Sequence, residues 1–406
     1  MIISFRFKNF RSFPDETLID MRAVGYKEHP GHLIAADNKK LIKTLAVYGA
    51  NSSGKTNLFL ALASFHSLIF WHLFSLDALS RNHIMGFLQI TSINKIVPFQ
   101  TVEENLQPTE MEISFISGGK VFEYGFSIRD QKILTEQMTV DHHVVFTREE
   151  EEFTIGRHYE KCLRQKMGFK PHDNRLFCAI LASLNTPEIV EFMEPFESFF
   201  SEHIVYHYDF LEPFQIVGSM VIDGGIYKIL ENQAALDYSL SQLRNLGIPV
   251  QEIIIEDGMP KLGYRFKSRT TGEHKICYMD LKKVSKGTLK YLSLFIKLYT
   301  LSQKGGVFLI DNISGEFHPT VTKFILDSFQ QEKNKNIQLI FTTYDVSILN
   351  NQQFRRDEVA LVDINEYQES RLYTLADIKV RSDASFSKDY LLGKYGAVPL
   401  VKDYIL

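Results

Sequence analysis

The sequence predicts an α/β fold with a mixed, largely parallel core sheet, an antiparallel β subdomain and an insertion of helices and strands. Three observations support this. The strand "TLAVY" (44–48) runs directly into a glycine-rich turn, "GANSSGKTN" (49–57), and a helix follows from Lys55 to about Phe65. From residue 305 apolar strands alternate with helices: "VFLI" (307–310), a helix over 320–332, "IQLIFTT" (337–343), a short helix over 345–350, then "EVALVDI" (358–364) and "SRLYTL" (370–375). Between these halves, long stretches alternate polar and apolar residues with period two, as antiparallel strands do.

In chain order, residues 2–10 read as a strand with Ile3, Phe5 and Phe7 on one face and Ser4, Arg6 and Lys8 on the other. The segment 109–128 alternates on both sides of Gly118-Gly119, a hairpin signal, and further strands are expected around 133–146 and 153–155. Between them "REEEE" (148–152) reads as a solvated turn, and His142-His143 as strand neighbours with one imidazole in and one out. A helical pattern covers 173–205, and an amphipathic helix over 225–247 closes at Gly247 before Pro249. Strands follow at 250–258 and 261–268, paired around Asp257-Gly258, with a third at 274–281, and a long helix covers 288–302. The implied division is an N-terminal part (1–185) with its β subdomain at about 109–155, an insertion (186–280) and a C-terminal part (281–406). No internal repeat, sustained heptad pattern or low-complexity tract is visible.

Apolar residues make up 45% of the 406 and charged residues 23%, ordinary for a soluble globular chain. The net charge of −4 advertises no nucleic-acid surface, which would have to be a local patch. The 32 phenylalanines, set against a lone Trp71, read as core filling. Cys162, Cys178 and Cys277 lack metal-ligand spacing and read as reduced core thiols. The N-terminus has no long apolar core, and the run 58–74, broken by Ser64, His66, Ser67 and His72, reads as too polar and short to span a bilayer. The expected location is the cytoplasm.

"GANSSGKT" (49–56) fits the phosphate-loop pattern G-x-x-x-x-G-K-[ST] at every fixed position, in the strand–loop–helix setting that the chemistry requires. Gly49 and Gly54 let the backbone wrap so that its N–H groups, with Asn51, Ser52, Ser53 and Asn57 in the cradle, face phosphate oxygens. Lys55 would reach the β- and γ-phosphates and Thr56 would offer a hydroxyl to Mg²⁺. A structural Gly/Ser turn is the competing reading, and the flanking strand and helix weigh against it. ATP or GTP is the expected ligand. Asp311, ending its strand about 255 residues after Thr56, suits the same Mg²⁺. Ser285 and Gly287, at the start of the long helix, could meet a phosphate through exposed N–H groups; an ordinary N-cap would look the same.

"KNFRSF" (8–13), the phosphate loop, "SKGT" (285–288), "LIDN" with "EFHP" (309–319) and "FTTYD" (341–345) come in the order found in ABC-class ATPases of the RecF, SMC and OLD kind. The chain most resembles the stand-alone ATPases of bacterial abortive-infection and anti-phage systems, of the RloA and AbiL types. Residues 380–399 look like that group's C-terminal segment. The specific motifs lie in 2–60 and 284–399. The resemblance implies a dimer sandwiching two nucleotides, with Ser285 and Gly287 touching ATP held at the partner's phosphate loop. It also implies a nucleotide-edge role for Asn9 and Arg11, and a Mg²⁺-linked glutamine, Gln100 or the competing Gln89.

Two positions depart from the family. Asn312 stands where glutamate is expected after Asp311, and Tyr344 where histidine is expected in "FTTxD". An amide can orient water but cannot take its proton. Glu316 is the substitute base to consider. The reading is an ATP-bound switch or scaffold with weak hydrolysis, controlling a separately encoded effector nuclease of the TOPRIM or RloB-like kind. The alternative is a DNA-acting ATPase like RecF or SMC proteins, whose basic patches or coiled-coil arms are not evident; an inactive paralogue paired with an intact partner is a third reading.

Overall fold

The computed structural model describes residues 1–78, 96–100, 107–163, 174–207, 232–256 and 259–399, with the side chains of 75–78, 207, 259 and 316 outside that set. The chain forms two compact units: one holds the described residues of 1–80, 90–206 and 306–406, the other those of 207–305. This differs from the expected insertion at 186–280, and aromatic packing explains the shift. Phe199, on the helix Pro187–Glu202, stacks on Phe115 of the first unit's sheet at 3.9 Å. The helix Lys286–Lys304 joins the second unit, where Tyr238 packs against its Phe295 and Tyr299.

In the first unit a six-stranded sheet runs in the order Ile204–His207, Gly306–Ile310, Ile337–Thr342, Thr44–Tyr48, Val359–Ile364, Ser370–Thr374. The four strands from Gly306–Ile310 to Val359–Ile364 are parallel, and Ser370–Thr374 is antiparallel to its neighbour. Every residue of Thr44–Tyr48, Gly306–Ile310 and Ile337–Thr342 is buried, as parallel strands covered on both faces require.

The second sheet is antiparallel, seven strands in the order Glu152–Ile155, His143–Glu149, Lys132–Val140, Lys120–Arg129, Thr109–Ser117, Ile2–Lys8, Thr17–Asp20. Phe5 and Phe7 are buried while Arg6 is exposed, the alternation expected for a strand with one face on a core. The phenylalanines fill that core: Phe65 stacks on Phe126 at 5.2 Å and meets Phe5, and Phe115 also stacks on Phe122.

The helix Lys55–Ala78 runs well past the expected end near Phe65. By length and composition 55–74 could cross a bilayer, yet more than half of it is buried, and the helix packs against Phe177–Ala182 and Pro187–Glu202. The interrupting histidines are satisfied inside. The Nε2 of His66 lies 2.7 Å from the Phe200 carbonyl, and the Nδ1 of His72 accepts the Leu176 N–H. Burial lowers each to about 4. Because both folded values lie below the ordinary 6.5, their contribution is complete above pH 6.5 and is lost as pH falls towards 4. The expected loss is at most about 3 kcal/mol for each imidazole. Urea midpoints at pH 7 and pH 5 check it; a His72→Gln variant, whose amide oxygen can still accept the Leu176 N–H, should lose part of the slope. An unmoved midpoint would refute the assignment.

Several expectations are corrected. Asp141 and His142 form a left-handed turn, so both His142 and His143 are exposed. Arg148, first residue of the presumed solvated turn, is buried in its strand. Its guanidinium lies 3.7 Å from Glu136 and donates to the carbonyls of Glu150 and Arg175. Glu136 also accepts from Tyr124 Oη and from the N–H groups of Phe177 and Cys178, while burial holds its carboxyl above the usual range. Residues 345–350 form turns rather than a helix. There Thr343 and Asp345 side chains accept the N–H groups of Asp345 and Ser347, competing with helical bonding. Cys178 is buried, but Cys162 is half-buried and Cys277 exposed.

The second unit holds the helix Gln233–Asn245, the antiparallel sheet Val250–Glu256, Met259–Lys267, His274–Asp280, and the helix Lys286–Lys304. Of the expected helix at 225–247, residues 225–231 lie outside the described residues.

Candidate functional site

The phosphate loop leaves the end of Thr44–Tyr48 and returns into the helix starting at Lys55. Gly49 has no alternative, since a Cβ there would lie 2.4 Å from the Val362 carbonyl oxygen. Gly54 sits at φ +109°, and its Cβ would strike Ser370 Oγ at 2.4 Å. The loop is braced from behind. Ser370 Oγ approaches both the Ser53 carbonyl (2.7 Å) and Ser12 Oγ (2.8 Å), and Asn57 Nδ2 donates to Ser12 Oγ. Asn57 therefore supports the loop from behind. Asn51 and Ser52 are exposed; the buried Ser53 hydroxyl has no hydrogen-bond partner.

Lys55 Nζ folds over the loop and donates to the carbonyls of Gly49 and Ala50, each at 2.8 Å. Burial lowers its ammonium below the usual lysine range, and Asp311 partly offsets this. Thr56 Oγ1 donates to Asp311 Oδ2 at 3.1 Å, joining residues 255 positions apart. The other carboxylate oxygen, Oδ1, accepts from Thr342 Oγ1 at 2.6 Å, and Thr342 Oγ1 itself accepts the Asn312 N–H at 2.7 Å. One hydroxyl on the neighbouring strand thus fixes both Asp311 and the backbone of Asn312. An ammonium over the loop carbonyls, next to a hydroxyl–carboxylate pair, suits a nucleotide phosphate chain with Mg²⁺.

Asn312 adopts φ 54°, ψ 53°, a left-handed conformation that asparagine tolerates better than glutamate. Its side chain turns over Gly315, where a Cβ would lie 2.3 Å from Asn312 Nδ2, and its Oδ1 is buried without a hydrogen-bond partner. Tyr344, by contrast, is 52% exposed. The side chain of Glu316 lies outside the described set.

Arg11 is held in a left-handed turn, its N–H bonded to the Val97 carbonyl and its guanidinium 5.6 Å from the Phe10 ring. Its Nε is buried without a hydrogen-bond partner, and burial lowers its pKa. Asn9 is buried and structural: it donates to the Gln107 and Pro108 carbonyls and accepts from Phe99 N–H. Gln100 follows that contact and is exposed; Gln89 lies outside the described residues.

In the second unit, Ser285 caps the helix Lys286–Lys304 by accepting the Thr288 N–H, so the N-cap reading holds. Ser285 and Gly287 are exposed, and a Cβ at Gly287 would meet open space, so the fold around it does not require a glycine there. Sequence reasoning missed Thr342, Ser12 and Ser370. Thr342 and Ser12 lie within "FTT" and "RSF", and Ser370 opens the strand "SRLYTL", but nothing in these stretches marks the hydroxyls as parts of the site.

Residues 45–350 match the family model described as "AAA domain, putative AbiEii toxin, Type IV TA system". The chain belongs to this AAA-domain ATPase family. The matched span runs from the strand before the phosphate loop to beyond Tyr344, so every motif of the site in the AAA domain except "KNFRSF" lies inside it. No curated protein matches. The AAA-domain chain is also similar to solved SMC heads. One, bound to the C-winged helix domain of ScpA, shares 14% identity over 93% of this chain and 99% of that one, TM-score 0.42. The head from Thermotoga maritima shares 12% over 92% and 98%, TM-score 0.41. A third, with an extended coiled coil and bound to the C-terminal domain of ScpA derived from Pyrococcus furiosus, shares 13% over 97% and 98%, TM-score 0.42.

Proposed function

We propose that this AAA-domain protein is a cytoplasmic, nucleotide-gated switch that binds ATP readily and hydrolyses it slowly. The observation behind this is Asn312: it follows Asp311 at the mouth of the phosphate loop, and its side chain is turned over Gly315, with an amide where a base would be needed. In this reading Thr56 and Asp311 hold Mg²⁺ bound with ATP, and the ion neutralises phosphate charge. Lys55 and the loop N–H groups hold the phosphate chain. Arg11, with its unpaired Nε, faces the bound nucleotide. Ser285 and Gly287 engage ATP on a second copy, so that nucleotide closes a dimer. The closed state holds or releases a separately encoded effector nuclease in anti-phage defence.

A general base contributes on the order of 10²–10⁴ in rate. Asn312→Glu is therefore expected to raise steady-state ATP hydrolysis, by about tenfold, or about 1.4 kcal/mol. The full gain is not expected, because glutamate in the left-handed region costs about 1 kcal/mol more than asparagine and would have to be re-aimed. Tyr344→His alone should do less, since a hydrogen-bond donor does not accept the proton. A wild-type rate typical of its class, unchanged by Asn312→Glu, would mean that another base serves, Glu316 first, and would remove the stalled-switch reading.

A further inference from the structure

Sheet edges present unpaired N–H and C=O groups, and soluble proteins blunt them by shortness, bulges, proline or cover. Among the described strands, the edges Thr17–Asp20, Leu33–Ala36, Lys39–Ile42, Glu152–Ile155 and Ile204–His207 have four residues, and Ser370–Thr374 has five. The seven-residue edge Val250–Glu256 is broken by a register shift between Val250 and Glu252 and packs against the helix Gln233–Asn245. One edge is neither short, bulged, proline-bearing nor covered, and carries only the charges of Lys275 and of Asp280, whose carboxylate lies 3.7 Å from Lys261. His274–Asp280 has seven residues, pairs with Met259–Lys267 in unbroken register, contains no proline, and exposes all but Met279. It also exposes Ile276 and Tyr278 at 42% and 46%.

We propose that His274–Asp280 is a homotypic interface, pairing antiparallel with the same strand of a second copy and joining two three-stranded sheets into one. Symmetry restricts the register. A twofold axis through an antiparallel pair stands perpendicular to the sheet, so opposed residues must share a face. The pairing is therefore centred on a residue, never between two. Only the register centred on Cys277 uses all seven positions. It sets Ile276 against the partner's Tyr278, stacks the Lys275 stem on the partner's Met279, and brings Cys277 to the partner's Cys277. At both ends it opposes His274 to the partner's Asp280, a complementary pair made twice. Centring on Ile276 would leave Met279 and Asp280 without strand partners, and centring on Tyr278 would strand His274 and Lys275. The interface is independent of nucleotide and so differs from the ATP-closed dimer.

The test uses the full chain without nucleotide. Sedimentation should show a concentration-dependent dimer. His274→Asp, which opposes two carboxylates at each end, should weaken it about tenfold. Adding Asp280→His restores a complementary pair and should recover most of the loss. A Cys162→Ser protein treated with a short bis-maleimide should yield a covalent dimer through the two exposed Cys277 thiols, and Cys277→Ser should abolish it. Circular dichroism confirms that each variant folds. A nucleotide-free monomer, a dimer indifferent to His274→Asp, or an assembled dimer that does not cross-link at Cys277 would each overturn the proposal.

Discussion

Lys55→Ala is expected to weaken binding of a fluorescent ATP analogue by about a hundredfold or more, while the protein stays folded. The ammonium sits over the phosphate loop, and its two present partners are the loop's own carbonyls, Gly49 and Ala50. Those two hydrogen bonds are what the substitution removes from the fold itself. A bound triphosphate would lose a charge-assisted contact, worth about 1.5–3 kcal/mol for each hydrogen bond to a charged group. The partly desolvated ammonium, already below the usual lysine range, gains a strong anion when nucleotide arrives. Equilibrium titration with fluorescence anisotropy, beside thermal melts of both proteins, separates binding from folding. Unchanged affinity would remove the nucleotide reading as a whole.

Arg355→Met is expected to cost about 3–5 kcal/mol of stability, the range for breaking a buried ion pair from one side. Arg355 is fully buried, and its guanidinium meets both oxygens of Asp357 at 2.8 Å. It also donates to the carbonyls of Glu28 and Val24, while Asp357 accepts the Val24 N–H. Methionine fills similar volume but leaves a carboxylate and the carbonyls of Val24, Tyr26 and Glu28 without this donor. Chemical denaturation measures the loss. Limited proteolysis should place the first cuts near residues 22–32, the segment that these bonds fasten. A loss below about 1 kcal/mol would mean that water replaces the guanidinium without penalty.

The phosphate loop was legible because its chemistry demands fixed residues in a fixed order, and the strand before it is apolar at all but one position. Asp311 was legible for the same reason. The antiparallel subdomain could be read locally at 109–155, but nothing local told that Ile2–Lys8 and Thr17–Asp20 complete its sheet. Such pairing depends on burial shared with residues about a hundred positions away. The hairpin Leu33–Ala36 with Lys39–Ile42 carries a local signal in Asp37-Asn38, both at positive φ, which suit a tight primed turn. Arg148 could not be read as buried, because a charge becomes a core residue only through its partner, here Glu136, and pairing leaves no mark on composition. The partners of Asn9 were hidden for a related cause: it lies beside the motif, while its amide bonds to residues 99–108.

The strand that carries the phosphate loop, Thr44–Tyr48, has as its two neighbours Ile337–Thr342 and Val359–Ile364, and the loop behind it leans on Ser370. All three supports are made late. A ribosome that has translated the first three hundred residues has produced the loop sequence but none of the strands that fix it in the core sheet. A chain of that length therefore carries the loop sequence without either strand that flanks it in the sheet. Any stabilisation that a bound nucleotide lends to the loop therefore requires a chain made through Ser370.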